Sequence, residues 1–81
     1  MLVDVISVRA LPGYRLALAF EDGREGVFDM TPYVGTGMWR AISDPVSFAA
    51  AHVVDGTVAW SPRVDMAPEV LYEGCVPEAI S

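Results

Sequence analysis

Alternating apolar and polar positions predict β-structure in the first third of the chain. Tyr14–Phe20 alternates with period two, which is typical of a strand with one buried face. Before it, Val3–Ala10 is rich in β-branched residues and ends at a Pro-Gly turn, as a strand does. After it, Asp22-Gly23 precedes an apolar return segment, Arg24–Asp29. These three segments predict an antiparallel meander.

The turn after the second strand allows two registers. A two-residue turn at Asp22-Gly23 pairs Leu18 with Val27, whereas a three-residue loop with Gly23 in the left-handed conformation pairs Leu16 with Phe28. A slip of one residue moves every side chain to the other face, so the two registers bury different residues. We favour the three-residue loop because it places Phe28 on the same face as Leu16, and the two-residue turn stays open.

Polar residues followed by proline predict short helices. Thr31-Pro32 suits a cap and first helical residue, so we expect a short helix through residue 34. The same device at Asp44-Pro45 predicts a helix over 45–50 that buries Phe48 and Ala49. We expect one more helical turn over 38–42 and a final helix over 65–72.

A second hairpin is predicted where residues 51–54 and 57–60 flank Asp55-Gly56. The fold class is therefore α+β: a small antiparallel sheet built from the three-strand meander and this short hairpin, with two or three short helices. We expect a single domain over residues 1–73. Residues 74–81 have little pattern, and we expect a loosely ordered tail there.

Composition narrows the function classes. Of the 81 residues, 53% are hydrophobic, and 11 acidic residues against 5 arginines give a net charge of −6. Cys75 is the single cysteine and His52 the single histidine, so neither a disulfide nor a zinc site stabilises the small core. We predict no metal and no cofactor. Small domains without such cross-links are often stabilised by association, which favours a homo-oligomer, a dimer, or one small protein partner.

The same composition argues against membranes and nucleic acid. No segment reaches the length that spans a bilayer and no signal peptide is visible, so we expect a cytoplasmic protein. Arg9, Arg15 and Arg24 share one predicted sheet face, but the acidic excess favours pairing with Glu21 and Glu25 over phosphate. We therefore expect no direct nucleic-acid binding.

No catalytic set is recognisable. We interpret His52 as a strand-edge histidine with a backbone partner and Cys75 as an inert thiol. Asp29, Asp44 and Asp65 each precede a proline-led segment, where a carboxylate caps a helix start. The sequence therefore predicts a protein without enzymatic activity.

The candidate site is an interface. We expect Tyr14, Tyr33 and Trp39 to be partly exposed, because a domain of this size cannot bury eight aromatic residues fully. The first strand, with Val3 and Val5, is predicted to have an open edge. We therefore expect a protein–protein interaction module that self-associates through a strand edge and an apolar patch.

Several short motifs follow one another along residues 3–73. They include residues 20–23, Phe28-Asp29 with Pro32, Asp44-Pro45 with Phe48, and a closing set of Trp60, Asp65, Pro68, Glu69, Leu71 and Tyr72. In this order they resemble the DUF2442 family, small bacterial proteins of unknown function. At residues 61–64 this sequence departs from the pattern of the family. The resemblance implies a compact α+β fold, and it assigns no catalytic residue because none is established for the family. It also implies an alternative function, a regulatory or antitoxin-like partner of a small basic protein.

Overall fold

The computed structural model describes residues 3–61 and 64–77. These residues form two small antiparallel sheets and three short helices. The first sheet has the order β1-β2-β3 and the second β4-β5-β6. The strands are β1 Val5–Leu11, β2 Arg15–Phe20, β3 Glu25–Asp29, β4 His52–Val54, β5 Thr57–Ser61 and β6 Val64–Met66. The helices are a 3-10 helix over Gly37–Ile42, α1 over Pro45–Phe48 and α2 over Pro68–Gly74. This architecture confirms the predicted α+β class.

The β2–β3 turn is the three-residue loop that the sequence analysis favoured. Leu16 pairs with Phe28, Phe20 N–H donates to the Arg24 carbonyl at 2.9 Å, and Gly23 has φ +92°. Consequently Leu16, Leu18 and Phe28 are all buried. The same register fixes which backbone groups of β3 point away from β2.

The second hairpin is confirmed, but its third strand was missed. Val54 pairs with Thr57 across a two-residue turn, with both Asp55 and Gly56 at positive φ. The segment that was predicted as the start of a helix is β6, whose residues alternate between buried and exposed. The helix begins only at Pro68. A period-two pattern of three residues is too short to separate from a helix start.

The predicted helix after Thr31-Pro32 is instead a series of turns. The Asp29 side chain stabilises the first of these turns, because its Oδ1 accepts from the Thr31 N–H at 2.9 Å and from the Thr31 hydroxyl at 2.7 Å. For α1, the predicted start of the helix at Asp44-Pro45 is confirmed. Asp44 accepts from the Ser47 N–H at 3.0 Å and Phe48 is buried, although Ala49 is exposed because the helix ends at Phe48.

The inner faces of both sheets contribute to one core. Its fully buried side chains include Phe20, Leu16, Leu18, Met30, Leu71, Val5 and Val58. Trp60 of β5 is also buried and donates its indole N–H to the Phe48 carbonyl at 3.1 Å. This bond satisfies the polar atom of the side chain inside the core.

The two sheets meet along β1 and β4, which lie beside each other. Val5 N–H donates to the Gly56 carbonyl at 2.9 Å, so the N-terminal end of β1 is bonded to the second hairpin. Because β1 and β4 face each other, the outer strands of the two-sheet arrangement are β3 and β6.

None of the described helices has the length and apolar character needed to span a bilayer.

Candidate functional site

The outer edge of the first sheet is β3. Because Arg24 forms the hydrogen-bonded pair with Phe20, the alternation of an antiparallel ladder directs the N–H and C=O groups of Glu25, Val27 and Asp29 away from β2. Within residues 3–61 and 64–77, a backbone partner is found only for Val27. The edge therefore offers backbone groups to an added strand.

The partner of Val27 is Val76, which follows α2. The two residues form an isolated antiparallel bridge, with Val76 N–H donating to Val27 O at 2.8 Å and Val27 N–H donating to Val76 O at 2.9 Å. Residues 74–77 of the predicted tail are described by the structure, and residues 78–81 lie outside the described part. The bridge lies within the segment that the sequence analysis expects to be a loosely ordered tail.

A groove of about 450 Å³ follows the β3 edge. Its floor includes Val27 and Phe28, and the Phe28 ring stacks on that of Tyr33 with centroids 5.8 Å apart. The full lining is Arg15, Val27, Phe28, Asp29, Pro32, Tyr33, Gly74 and Val76. The groove combines an apolar floor with exposed backbone groups.

Two carboxylates flank Val27 on the edge strand. Glu25 and Asp29 are both exposed. The Thr31 backbone N–H and hydroxyl bind the Asp29 carboxylate and lower its pKa, and the nearby Arg15 guanidinium lowers it further. Both carboxylates make the edge negative at neutral pH. Asp29 lies opposite Arg15 in the β2 register, whereas Glu25 lies opposite Ala19 and so has no arginine across from it.

A larger depression of about 670 Å³ lies on the outer face of the second sheet. Register places His52, Ala59 and Asp65 side by side across β4, β5 and β6. Backbone groups inside a sheet already pair with neighbouring strands, so this face offers only side chains. We give the β3 edge more weight because it offers directional backbone pairing and an apolar floor together.

The five predicted interface residues do not form one exposed surface. Val5 is 2% exposed and belongs to the core. The strand bulges after Val5 and the side chain faces inward, so Val5 offers no side-chain surface to a partner. Val3, Tyr14, Tyr33 and Trp39 are half-buried against the core. Of these four, only Tyr33 lines the β3 groove.

Tyr14 has a packing role. Its hydroxyl donates to the Ser43 carbonyl, and its ring meets Phe48 edge-on at 5.2 Å. Its backbone is left-handed, with φ 59°, and its carbonyl accepts from Met30 N–H at 2.8 Å. These contacts hold the loop between β1 and β2 against α1. Trp39 similarly packs edge-on against the core residue Trp60 at 5.8 Å.

Residues with catalytic or metal-binding chemistry are dispersed. His52 is exposed and its Nδ1 donates to the Ala50 carbonyl at 2.8 Å. Cys75 is buried. Asp65 lies in β6 and caps no helix, contrary to prediction. Within the described residues, no three histidine, cysteine or acidic side chains are grouped to hold a metal ion.

Sequence reasoning missed the residues that define the edge, namely Glu25, Gly26, Val27 and Val76. Gly26 was the available signal, because a glycine inside a strand often marks the close approach of another backbone. A Cβ at Gly26 would lie 2.8 Å from the Val76 carbonyl oxygen. The one-residue bridge itself leaves no periodic pattern to detect.

The fold and edge define a small α+β domain that offers one side of a sheet for pairing. Residues 5–77 match the model of DUF2442, a protein family of unknown function. The chain belongs to this family, as its motifs indicated.

A solved structure shares the fold. It is the "Putative DNA Binding Protein NE0471" of Nitrosomonas europaea ATCC 19718, with a TM-score of 0.76 and 23% sequence identity. The alignment covers 90% of this chain and 48% of that chain, so this chain spans about half the length of the neighbour. No curated protein matches this chain.

The comparison corrects one expectation. We predicted no nucleic-acid partner from the acidic composition, and the name of NE0471 contradicts that exclusion for a protein of this fold. Net charge describes a whole chain, whereas DNA contact depends on where cations are placed. Nucleic acid therefore has to be included among the ligands that are tested.

Proposed function

We propose that this domain is a non-enzymatic protein-interaction module that adds an extended strand of a partner protein to β3. The supporting observation is the row of outward backbone groups on Glu25, Val27 and Asp29, of which only Val27 is paired among the described residues. Strand addition takes its affinity from such main-chain hydrogen bonds and its specificity from alternate side chains.

The proposal keeps a strand edge and an apolar patch but transfers both from β1 to β3. The β1 edge is flanked by β4, and Val5 is bonded to Gly56. At β3 the apolar contribution comes from the exposed Pro32 and the half-buried Tyr33, which line the groove beside the edge. Side chains of an added strand would bury apolar area there, which adds to the affinity of the backbone pairing.

Charge favours a different chain over a second copy as the partner. If two copies paired β3 with β3 about Val27, Glu25 of one would lie opposite Asp29 of the other. Like charges directly opposite each other destabilise an antiparallel pair. A strand with cationic residues at those positions would instead be attracted. The proposal is therefore a module that binds a basic partner segment, rather than one that self-associates.

The test is a titration with a short fluorescent peptide that has valine at its centre and lysine two residues to either side. We expect fluorescence anisotropy to report saturable binding that weakens as NaCl is raised. The matched control peptide has glutamate in place of both lysines and is expected to bind at least tenfold more weakly. Equal binding of the two peptides, or binding of neither, would contradict the proposal.

The name of the structural neighbour makes DNA the competing ligand. A labelled DNA duplex belongs in the same titration series, at the same salt concentrations. We expect the lysine peptide to bind with the same affinity whether or not the DNA duplex is present. Tight binding of the duplex together with no binding of the peptide would replace the proposed function with a nucleic-acid one.

A further inference from the structure

The binding edge is already occupied by part of the same chain. The C-terminal segment, here Gly74–Pro77, follows α2 and crosses β3 at its centre. Val76 uses both backbone groups of Val27, at 2.8 and 2.9 Å. These are the same groups that a partner strand would use, so the two pairings exclude each other.

The contact between this segment and β3 is close and depends on glycine. A Cβ at Gly26 would lie 2.8 Å from the Val76 carbonyl oxygen and 3.0 Å from Cys75 Sγ. A Cβ at Gly74 would lie 2.5 Å from Phe28 Cε1. The Cys75 side chain is buried against the core. The segment therefore rests in a fitted position and does not merely pass near the edge.

The pairing is nevertheless minimal. Continuing the antiparallel register by two residues would place Gly74 opposite Asp29, but Gly74 is the last residue of α2. The ladder therefore stops on that side, and the Val76 side chain remains 56% exposed. A separate strand could pair with Glu25, Val27 and Asp29 together and so form more hydrogen bonds than the segment does.

We infer that the C-terminal segment is an internal occupant of the β3 edge and that a partner strand binds by displacing it. This inference rests on the proposed function. It also predicts regulation: the affinity for a partner is reduced by the fraction of molecules in which the segment covers the edge. Any change that loosens the segment should strengthen partner binding.

The direct test is hydrogen exchange of two amides while the lysine peptide is added to saturation. The Val27 amide should remain protected, because a carbonyl of the peptide replaces Val76 O as its hydrogen-bond acceptor. The Val76 amide should lose protection, because its acceptor, Val27 O, is taken by the peptide. Binding with undiminished protection of the Val76 amide would overturn the inference while leaving strand addition possible elsewhere on the edge.

A matched pair of variants at one position tests the regulation. Val76→Pro removes the N–H that donates to Val27 O, and the extended backbone of Cys75 (φ −78°, ψ 145°) accepts a following proline. Val76→Ala keeps the N–H and shortens a side chain that is mostly exposed. We expect V76P to bind the peptide at least threefold more tightly than wild type, and V76A to bind like wild type.

The two possible failures are distinguishable. Equal peptide affinity in V76P, V76A and wild type would overturn displacement but leave the proposed function standing. Absence of peptide binding in all three proteins would overturn the proposed function itself. Circular dichroism and thermal unfolding of V76P establish that its fold is intact, and the wild-type exchange measurement does not depend on that variant.

Discussion

Three aspartates are hydrogen-bonded to groups that favour their charged form. Hydrogen bonds from the Tyr72 hydroxyl and the Arg24 N–H lower the pKa of Asp22. Thr31 lowers the pKa of Asp29, and the Ser47 N–H lowers that of Asp44. A carboxyl whose pKa is lower in the folded state stabilises the fold above its unfolded pKa of about 3.9. That contribution is lost as pH falls through the folded pKa.

Acid should therefore destabilise the domain below about pH 4, and Asp44→Asn should reduce that loss. Asparagine caps helices about as well as aspartate but does not titrate, so D44N should match wild type near pH 7. The measurement is the urea midpoint at pH 7 and at pH 3. Asp65→Asn is the control, since Asp65 caps no helix. A D44N midpoint that falls as far as that of wild type would refute the linkage.

Two neighbouring residues of α2 allow the stability effect of a buried side chain to be compared with that of an exposed one. Leu71 is 0% exposed and Val70 is 41% exposed. Leu71→Ala should cost about 2–5 kcal/mol of unfolding free energy because it leaves a cavity. Val70→Ala should change it by roughly 0.5 kcal/mol or less. Chemical denaturation of both variants tests this, and similar losses for the two would mean that α2 is packed differently.

The elements that could be predicted are those with strong local signals. Both Asp-Gly turns, the period-two pattern of β2 and the Asp44-Pro45 start of α1 identified their elements correctly. The elements that were missed depend on contacts between distant parts of the chain. β6 is recognisable only by its pairing with β5, and the Val76 bridge only by its contact with Val27. The candidate site was missed because it is made of such contacts.

The loop between β2 and β3 gives a test of backbone conformation. Gly23 has φ +92°, a conformation that costs a residue with a Cβ about 1–2 kcal/mol. Gly23→Ala should lower the unfolding free energy by about that amount, and Gly23→Asn by less, because asparagine tolerates positive φ. Thermal unfolding measures both. Equal stability of G23A and wild type would contradict the left-handed conformation of Gly23 in this loop.

At the scale of the whole molecule, the acidic charge and the open edge point to the same kind of partner. In the proposed function, the net charge of −6 would attract a basic chain from a distance, and Glu25 would favour that chain at the edge. Self-association was predicted from an excess of apolar residues. In the structure Trp60 and Val5 are both buried within the chain's own core, which weakens that reasoning.

Reversing one charge tests the central claim most directly. Glu25→Lys should abolish the preference for the lysine peptide, because the introduced lysine repels one peptide lysine while Asp29 still attracts the other. Glu69→Lys, on the exposed face of α2, makes the same change in net charge and is the control. The account predicts that E25K brings the ratio of the two peptide affinities close to one, while E69K retains the wild-type preference for the lysine peptide. Identical behaviour of the two variants would contradict binding at β3.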